Sequence, residues 1–289
     1  MSTKDISERD LERGIPLAAK KGPDHRSKVR VGDVELGGDR FVVIAGPCAV
    51  ETQKITVDIA RHVKAVGASL LRGGAFKSLS FPYRRPGYDE VGREGLDILR
   101  EAKKQTGLSL VTEVIDVRLV ELQAGYADML QIGARNMQNF ALVTEVARTG
   151  KPVLLKRHFG CSLRDLLGTA EYVLKEGNPN VVLCERGIVA PHTHQTTSRF
   201  IVDIQAIPAL HEYTHLPVIV DPSHATFRRE YVAPIARAAL AAGADGIIID
   251  VHPDPPNAAV DPLQALSYPA FSELMGQLKA MAPIVGRYV

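Results

Sequence analysis

The sequence predicts an α/β chain folded as a single (β/α)8 TIM barrel with a short N-terminal β-hairpin extension. Two observations lead there. Eight short apolar runs recur along the chain: FVVIA ending at Cys48, LLR at Arg72, LSLVTE at Glu113, MLQIGAR at Arg135, VLLK at Lys156, VVLCER at Arg186, VIVDPSH at His224 and GIIID at Asp250. Nearly all end in a residue able to bind metal, phosphate or carboxylate, Glu113 being a bland terminus, and polar groups at the C-terminal ends of successive buried strands are what a barrel active site requires. The second observation is size: 289 residues with 45% hydrophobic content can bury one large core, and such a barrel needs about 250 residues.

The elements follow in order. Residues 1–28 are polar, rich in Lys, Arg and Asp, and lack sustained helical periodicity, which reads as a mobile arm or partner-contacting extension. Residues 29–40 carry alternating stretches around Gly-Asp and Gly-Gly turns, a small hairpin placed to plug the bottom of the barrel. From residue 41 to 289 the apolar runs alternate with segments whose apolar residues fall at three- and four-residue spacing: ITVDIARHVKAV, REGLDILREAKKQ, FALVTEVART, SLRDLLGTAEYVLKEG and YVAPIARAALAAG. Strand then helix, repeated, means a parallel sheet. There is no close internal sequence repeat and no low-complexity linker.

Composition removes several classes of function. A net charge of +2 with both signs interspersed leaves no polyanion-binding stripe, so nucleic acid is not an expected partner. No apolar run approaches 18 residues, so a membrane is not expected either. The start, MSTKDISERDLERG, has no apolar h-region of a secretory signal, and three widely spaced cysteines suit a reducing cytoplasm better than a disulfide framework.

Two sets of residues carry chemistry. Cys48, His224, Asp250 and Asp261 come from distant parts of the chain, yet a barrel brings the ends of its first, seventh and eighth strands together. Singly, a strand-end Cys is more often a small core residue and a lone His a satisfied polar group; jointly, S, N, O and O donors suit a divalent Mn, Fe, Co or Zn ion rather than Mg or Ca. Cys161 and Cys184 read as structural thiols. Arg72, Lys77, Arg135, Lys156 and Arg186 form the second set, cations at or just past strand ends, where surface charges or snorkelling stems are the bland alternative. Their convergence near a metal points to a small substrate carrying phosphate and carboxylate. Gly73, Gly74, Gly133 and Gly187 flank them and let the backbone come close.

The stretches AGPCAVET, LLRGGAFK, QIGARNMQNF, KPVLLKR, CERGI, HLPVIVDPSHA and GADGIIIDVHPDP closely resemble the short microbial 3-deoxy-D-arabino-heptulosonate 7-phosphate (DAHP) synthases, over roughly residues 30 to 280. The same superfamily contains the 3-deoxy-octulosonate 8-phosphate synthases, but QIGARNMQNF resembles the DAHP branch. The resemblance implies a transferase of the shikimate and aromatic amino acid pathway that condenses phosphoenolpyruvate with erythrose 4-phosphate and releases phosphate. It assigns Cys48, His224, Asp250 and Asp261 to the metal, and Arg72, Lys77, Arg135, Lys156 and Arg186 to phosphoenolpyruvate. Cys48 and His224 thereby take part in catalysis through the ion, and Lys156 is the candidate for proton transfer. A homo-oligomer, a tetramer by resemblance, is also implied.

The chain departs from that family where the acceptor is expected. Pro-Arg-Thr/Ser-Ser-Pro-Tyr after GGAFK is here Ser78-Leu79-Ser80-Phe81-Pro82-Tyr83, so the Arg that would grip the acceptor phosphate is Leu79. A Gly after Lys-Arg is His158, and the loop after CERGI is about three residues longer and carries His192 and His194. Ser80, His158, Arg228 and Arg229 are the candidates to grip that phosphate instead. The family's metal-site Glu is Asp250, shorter by about 1.5 Å, and the last ligand's Ser-Asp-Gly is Val260-Asp261-Pro262. Three readings stay open: a DAHP synthase using erythrose 4-phosphate, a divergent paralogue using another aldehyde in a specialised pathway, and a non-catalytic phosphometabolite-binding or regulatory protein. The roughly 40 residues before FVVIAGPC are too few for the ferredoxin-like or chorismate-mutase domain that some relatives add for feedback control.

Overall fold

A computed structural model describes residues 13–77, 90–191 and 200–289; Leu79, Ser80, His192 and His194 lie outside these segments. Eight parallel strands close into a barrel in sequence order: β3 (Val42–Gly46), β4 (Leu70–Arg72), β5 (Ser109–Val114), β6 (Met129–Ile132), β7 (Val153–Lys156), β8 (Val181–Glu185), β9 (Val218–Val220) and β10 (Gly246–Asp250). The closing pair keeps strict register from Gly246 opposite Val42 to Asp250 opposite Gly46. All eight apolar runs of the sequence are barrel strands.

The two-residue period of a strand explains where the site forms. Leu70, Val111, Met129, Leu154, Cys184, Ile219 and Ile248 point inward and meet as the barrel's interior. Two residues further along each strand direction come Arg72, Glu113, Gln131, Lys156, Arg186, Asp221 and Asp250, which therefore form the floor of the C-terminal mouth. On the first strand this position is Gly46, where a Cβ would sit 2.1 Å from the Arg72 carbonyl oxygen. Only glycine allows the first two strands that close approach.

The alternate strand residues, such as Val43, Ala45, Leu71 and Ile249, face outward onto the helices, where Ile59, Val63, Leu99 and Leu278 meet them. Those helices have local start and stop signals. Thr52 caps Gln53–Val66 through its side chain, and Gly67 ends it at φ 109°; Ser162 and Asp165 form a capping box on Leu163–Lys175. At the opposite end, β1 (Val29–Val31) and β2 (Val34–Leu36) pair as an antiparallel hairpin. Its Val29, Val31 and Leu36 are buried in one cluster with the barrel interior, so the hairpin plugs the bottom.

Within the segment read as an arm, residues 13–28 are docked on the barrel's outside. Ile15 and Ala18 are buried, the Leu17 and Ala18 N–H groups donate to the Glu171 carboxylate, and Lys20 N–H donates to the Tyr213 carbonyl. Among the described residues no helix is long and apolar enough to cross a membrane.

Candidate active site

Past the strand ends, local chemistry sets each functional side chain. The run VIVDPSH does not continue as strand to His224. Pro222 has no N–H to give the sheet and favours the first turn of a helix; the strand stops at Val220, and Asp221 caps the short helix Pro222–Thr226 by accepting from the His224 N–H. His224 is thus carried on the short helix just past the end of the strand.

There it meets the other donors predicted for a metal. The His224 Nε2 lies 3.6 Å from Cys48 Sγ, 3.6 Å from Asp250 Oδ2 and 3.7 Å from Asp261 Oδ2. The Cys48 thiol donates to Asp261 Oδ2 at 3.2 Å, and one donor atom from each of the four residues lies within 4.8 Å of all the others. Four ligands about 2.1 Å from a common ion stand roughly 3.4 Å apart in a tetrahedron, so the spacing fits a first-row divalent metal. The shorter Asp250 still reaches the cluster. Its Oδ1 accepts from Arg72 and its Oδ2 from Gln264 Nε2 at 2.7 Å, which leaves Oδ2 facing His224.

The surroundings favour metal loading. Burial, then the nearby Asp250 charge, pushes the Cys48 thiol well above its usual pKa, and Lys77 and Arg72 only partly counter this. A divalent cation reverses that balance, because a ligating thiol is deprotonated outright. The far nitrogen of His224, Nδ1, is 2.9 Å from Asp221 Oδ2, the carboxylate–histidine arrangement that fixes a metal ligand's tautomer. Burial alone would raise the Asp221 carboxyl; His224 and Lys156 outweigh it and hold the group well below the usual range.

The predicted cations close around the same point. Lys77, Arg135, Lys156, Arg186 and His224 line one cavity together with Asp261. Arg72 is buried beneath it, where Asp250 and the other acidic neighbours outweigh the cost of burial and raise its pKa. Lys77 Nζ donates to Cys48 Sγ at 3.4 Å, and Lys156 pairs with Asp221. Arg186 lies over the Phe200 ring at 4.6 Å and within 6.0 Å of the Phe159 ring, a cation–π arrangement. At Gly133 a Cβ would fall 1.9 Å from Glu113 Oε1, so the Glu113 carboxylate packs directly on the glycine.

The acceptor candidates are more dispersed. The His158 ring packs on Phe159 with centroids 4.1 Å apart, and burial followed by Arg186 and Arg135 lowers its pKa. Arg228 pairs with Glu230 at 3.4 Å and lies against Tyr231. Arg229 donates to the Pro262 carbonyl at 2.6 Å and so fastens the turn in which Asp261 adopts φ 54°. Neither Arg228 nor Arg229 lines the cavity. Ser80 lies outside the described residues.

Sequence reasoning passed over Asp221, Glu113, Gln131 and Gln264. The first three stand two residues beyond an inward apolar residue, and that period was the available signal. Gln264 follows the last strand by a loop and had none. Cys161 and Cys184 are buried and unpaired by disulfide, Cys184 inside the barrel, where burial raises its pKa.

Comparison with known proteins accords with this geometry. The phospho-2-dehydro-3-deoxyheptonate aldolase of Thermotoga maritima is 42% identical over 258 residues, spanning 89% of this chain and 75% of that protein. A 2-dehydro-3-deoxyphosphooctonate aldolase from Syntrophotalea carbinolica is 32% identical over 89% of this chain and 96% of its own length. The crystal structure of the Thermotoga maritima DAHP synthase superposes with a TM-score of 0.89 at 40% identity, covering 94% of this chain and 78% of that one. A truncated form of that enzyme superposes with a TM-score of 0.87 at 39% identity, covering 96% and 99%. The sequence model of the DAHP synthetase I family matches residues 16–285, and the chain belongs to that family.

Proposed function

We propose that this chain condenses phosphoenolpyruvate with an aldose phosphate, erythrose 4-phosphate in the first reading, to give DAHP and inorganic phosphate with the help of a divalent metal ion. One observation carries the reading: a four-donor cluster of metal-site spacing reaches, through His224 and Asp261, the wall of a cavity lined by Lys77, Arg135, Lys156 and Arg186. The cations bind the carboxylate and phosphate of phosphoenolpyruvate by charge-assisted contacts. Carbon 3 of phosphoenolpyruvate bonds to the aldehyde carbon, whose oxygen takes a proton. Water adds to carbon 2, and the C–O bond to phosphate breaks, leaving a 2-keto sugar acid.

Cys48, His224, Asp250 and Asp261 would hold the ion, which when bound supplies a Lewis acid for the acceptor carbonyl. The chain itself does the rest. Arg135 and Arg186 hold the anion in the mouth, and their charge stabilises the phosphate as it departs. Lys156, kept at the floor by Asp221, is the donor placed to pass a proton to the leaving oxygen. Catalysis in the cytoplasm by a homo-oligomer, a tetramer in the simplest case, completes the proposal.

A second reading, a different aldehyde acceptor, is favoured by Arg228 and Arg229 standing outside the cavity, since neither then supplies the grip on an acceptor phosphate that Leu79 is unable to make. The test is phosphate release from phosphoenolpyruvate with Mn2+, with and without EDTA, across erythrose 4-phosphate and a panel of other aldehydes. EDTA-sensitive release with erythrose 4-phosphate supports the first reading; release only with another aldehyde supports the second. Silence with every aldehyde refutes both.

A further inference from the structure

The chemistry proposed above makes no use of the most heavily bonded ion cluster near the cavity. Arg157 follows Lys156 directly and points the other way, out of the barrel and into the protein. Its side chain is 6% exposed, and Glu185 is fully buried. The Arg157 Nη1 donates to Glu185 Oε2 at 2.9 Å and to Asp203 Oδ2 at 3.0 Å, while its Nε donates to the Cys161 carbonyl at 2.9 Å. The other oxygen of Glu185 accepts from the Gly187 N–H at 2.6 Å and the Asp203 N–H at 3.4 Å.

These bonds share one geometric property. Cys161 lies on the loop after β7, Gly187 leaves β8, and Asp203 ends the connection that returns from it. One guanidinium and one carboxylate thus fasten three loop roots at the mouth of the barrel. Two further contacts cross the same seam: Val189 N–H donates to the Phe159 carbonyl at 2.8 Å, and the Phe159 and Phe200 rings stack with centroids 4.8 Å apart. Arg186 lies beside this stacked pair, nearer Phe200 than Phe159. At Gly187, φ is +93° and a Cβ would meet Phe200 at 2.7 Å, so the chain turns tightly beside the stacked rings just after Arg186.

We infer that Arg157, with Glu185 and Asp203, is a positioning residue: the triad locks the roots of the loops after β7 and β8 together, so that the stacked Phe159 and Phe200 rings hold Arg186 where it receives the substrate anion. Arg157 touches neither substrate nor metal. Its effect reaches the reaction through the orientation of Arg186, and the inference rests on the reading of the cavity as a phosphoenolpyruvate site. A lysine at this position carries the charge but has no planar fork to span three acceptors.

The experiment measures phosphoenolpyruvate binding by calorimetry in the full chain, its KM and kcat with the best acceptor, and the Tm, for wild type, Arg157→Lys, Asp203→Asn and Arg287→Lys. Arg287 is the matched control, a nearly buried arginine at the barrel's far end that holds Asp245 at 2.9 Å and the carbonyls of Gly38 and Gly243. Arg157→Lys is expected to weaken phosphoenolpyruvate binding about tenfold to a hundredfold, the scale of an ångström-level misplacement, with KM moving more than kcat. Arg287→Lys is expected to lower Tm and leave Kd within about twofold, well inside one tenfold step of binding free energy. Asp203→Asn keeps an oxygen for the Ala206 N–H it caps at 3.2 Å; it is expected to weaken binding less, and it carries the test should Arg157→Lys not fold. Unchanged binding in a folded Arg157→Lys, or in Asp203→Asn if that is the variant that folds, overturns the inference, as does equal weakening by Arg287→Lys. A wild-type chain that binds no phosphoenolpyruvate overturns the functional reading itself, a separate result.

Discussion

Replacing Asp221 by Asn tests whether the metal cluster and the anion cavity share a support. The Asp221 carboxylate is fully buried and serves His224 Nδ1 at 2.9 Å, the His224 N–H at 2.9 Å and the Lys156 ammonium. Asn keeps the shape and one oxygen but removes the charge and presents an NH2 where an acceptor is required. Losing a carboxylate behind a ligating histidine costs about 10- to 100-fold in metal affinity, or about 1.4–2.7 kcal/mol. Lys156, whose side chain is 4% exposed, is left as a buried cation without its counterion, and breaking such a pair costs roughly 3–5 kcal/mol of folding stability. Calorimetric titration with Mn2+ and thermal melting of the metal-free chain read the two effects separately. Metal affinity within twofold of wild type, together with an unchanged Tm, would refute the argument that this carboxylate organises both halves of the site.

Further expectations follow from the same geometry. Gly133→Ala places a Cβ 1.9 Å from Glu113 Oε1, the far end of a flexible side chain; the carboxylate swings aside, so Tm changes by only a few degrees, about 1 kcal/mol or less, while phosphoenolpyruvate binding weakens, read by melting and calorimetry. Leu154→Ala empties part of the barrel interior and lowers stability by about 2–5 kcal/mol in urea titration, with the slope unchanged. Burial lowers the pKa of His62, His158 and His215 below the usual 6.5. Below that value the unfolded chain binds protons that the folded chain does not, so these three make stability fall as pH drops from about 6.5 through the folded values. Melting temperatures from pH 7 to pH 5 check the sign; their replacement by Gln removes this part of the slope.

The fold was legible because a barrel writes two periods into its chain. Buried strands such as FVVIA and GIIID, separated by helices with three- and four-residue spacing, leave little choice of architecture. The clustering of the candidate metal donors was legible for a related reason, since Cys48, Asp250 and His224 all fall near run ends. What escaped depends on neighbours rather than on position. Glu113 looks bland until Gly133 and Lys77 are seen beside it, and Lys77 Nζ is 3.9 Å from its carboxylate. Gln264 is an ordinary loop residue in sequence, and only the chain path after β10 brings its amide to Asp250. Arg229 was a candidate phosphate ligand because it keeps the double Arg of the family; in the fold its Nη2 donates to the Pro262 carbonyl. His224 was correctly expected at the site but by the wrong local route, because Pro222 turns the end of a strand into the start of a helix.

The hairpin at the barrel's bottom has a consequence for traffic. With Val29, Val31 and Leu36 seated against the interior side chains, the bottom of the barrel is closed and its mouth is at the C-terminal end. A molecule that reaches Arg72 and Asp250 then comes in from that end, by the cavity that Arg135 and Arg186 line, and the water it displaces goes out there too. Of two reactants bound one above the other, the deeper must arrive first, and the upper product must clear before the lower one follows. Entry and exit are thereby ordered by depth alone.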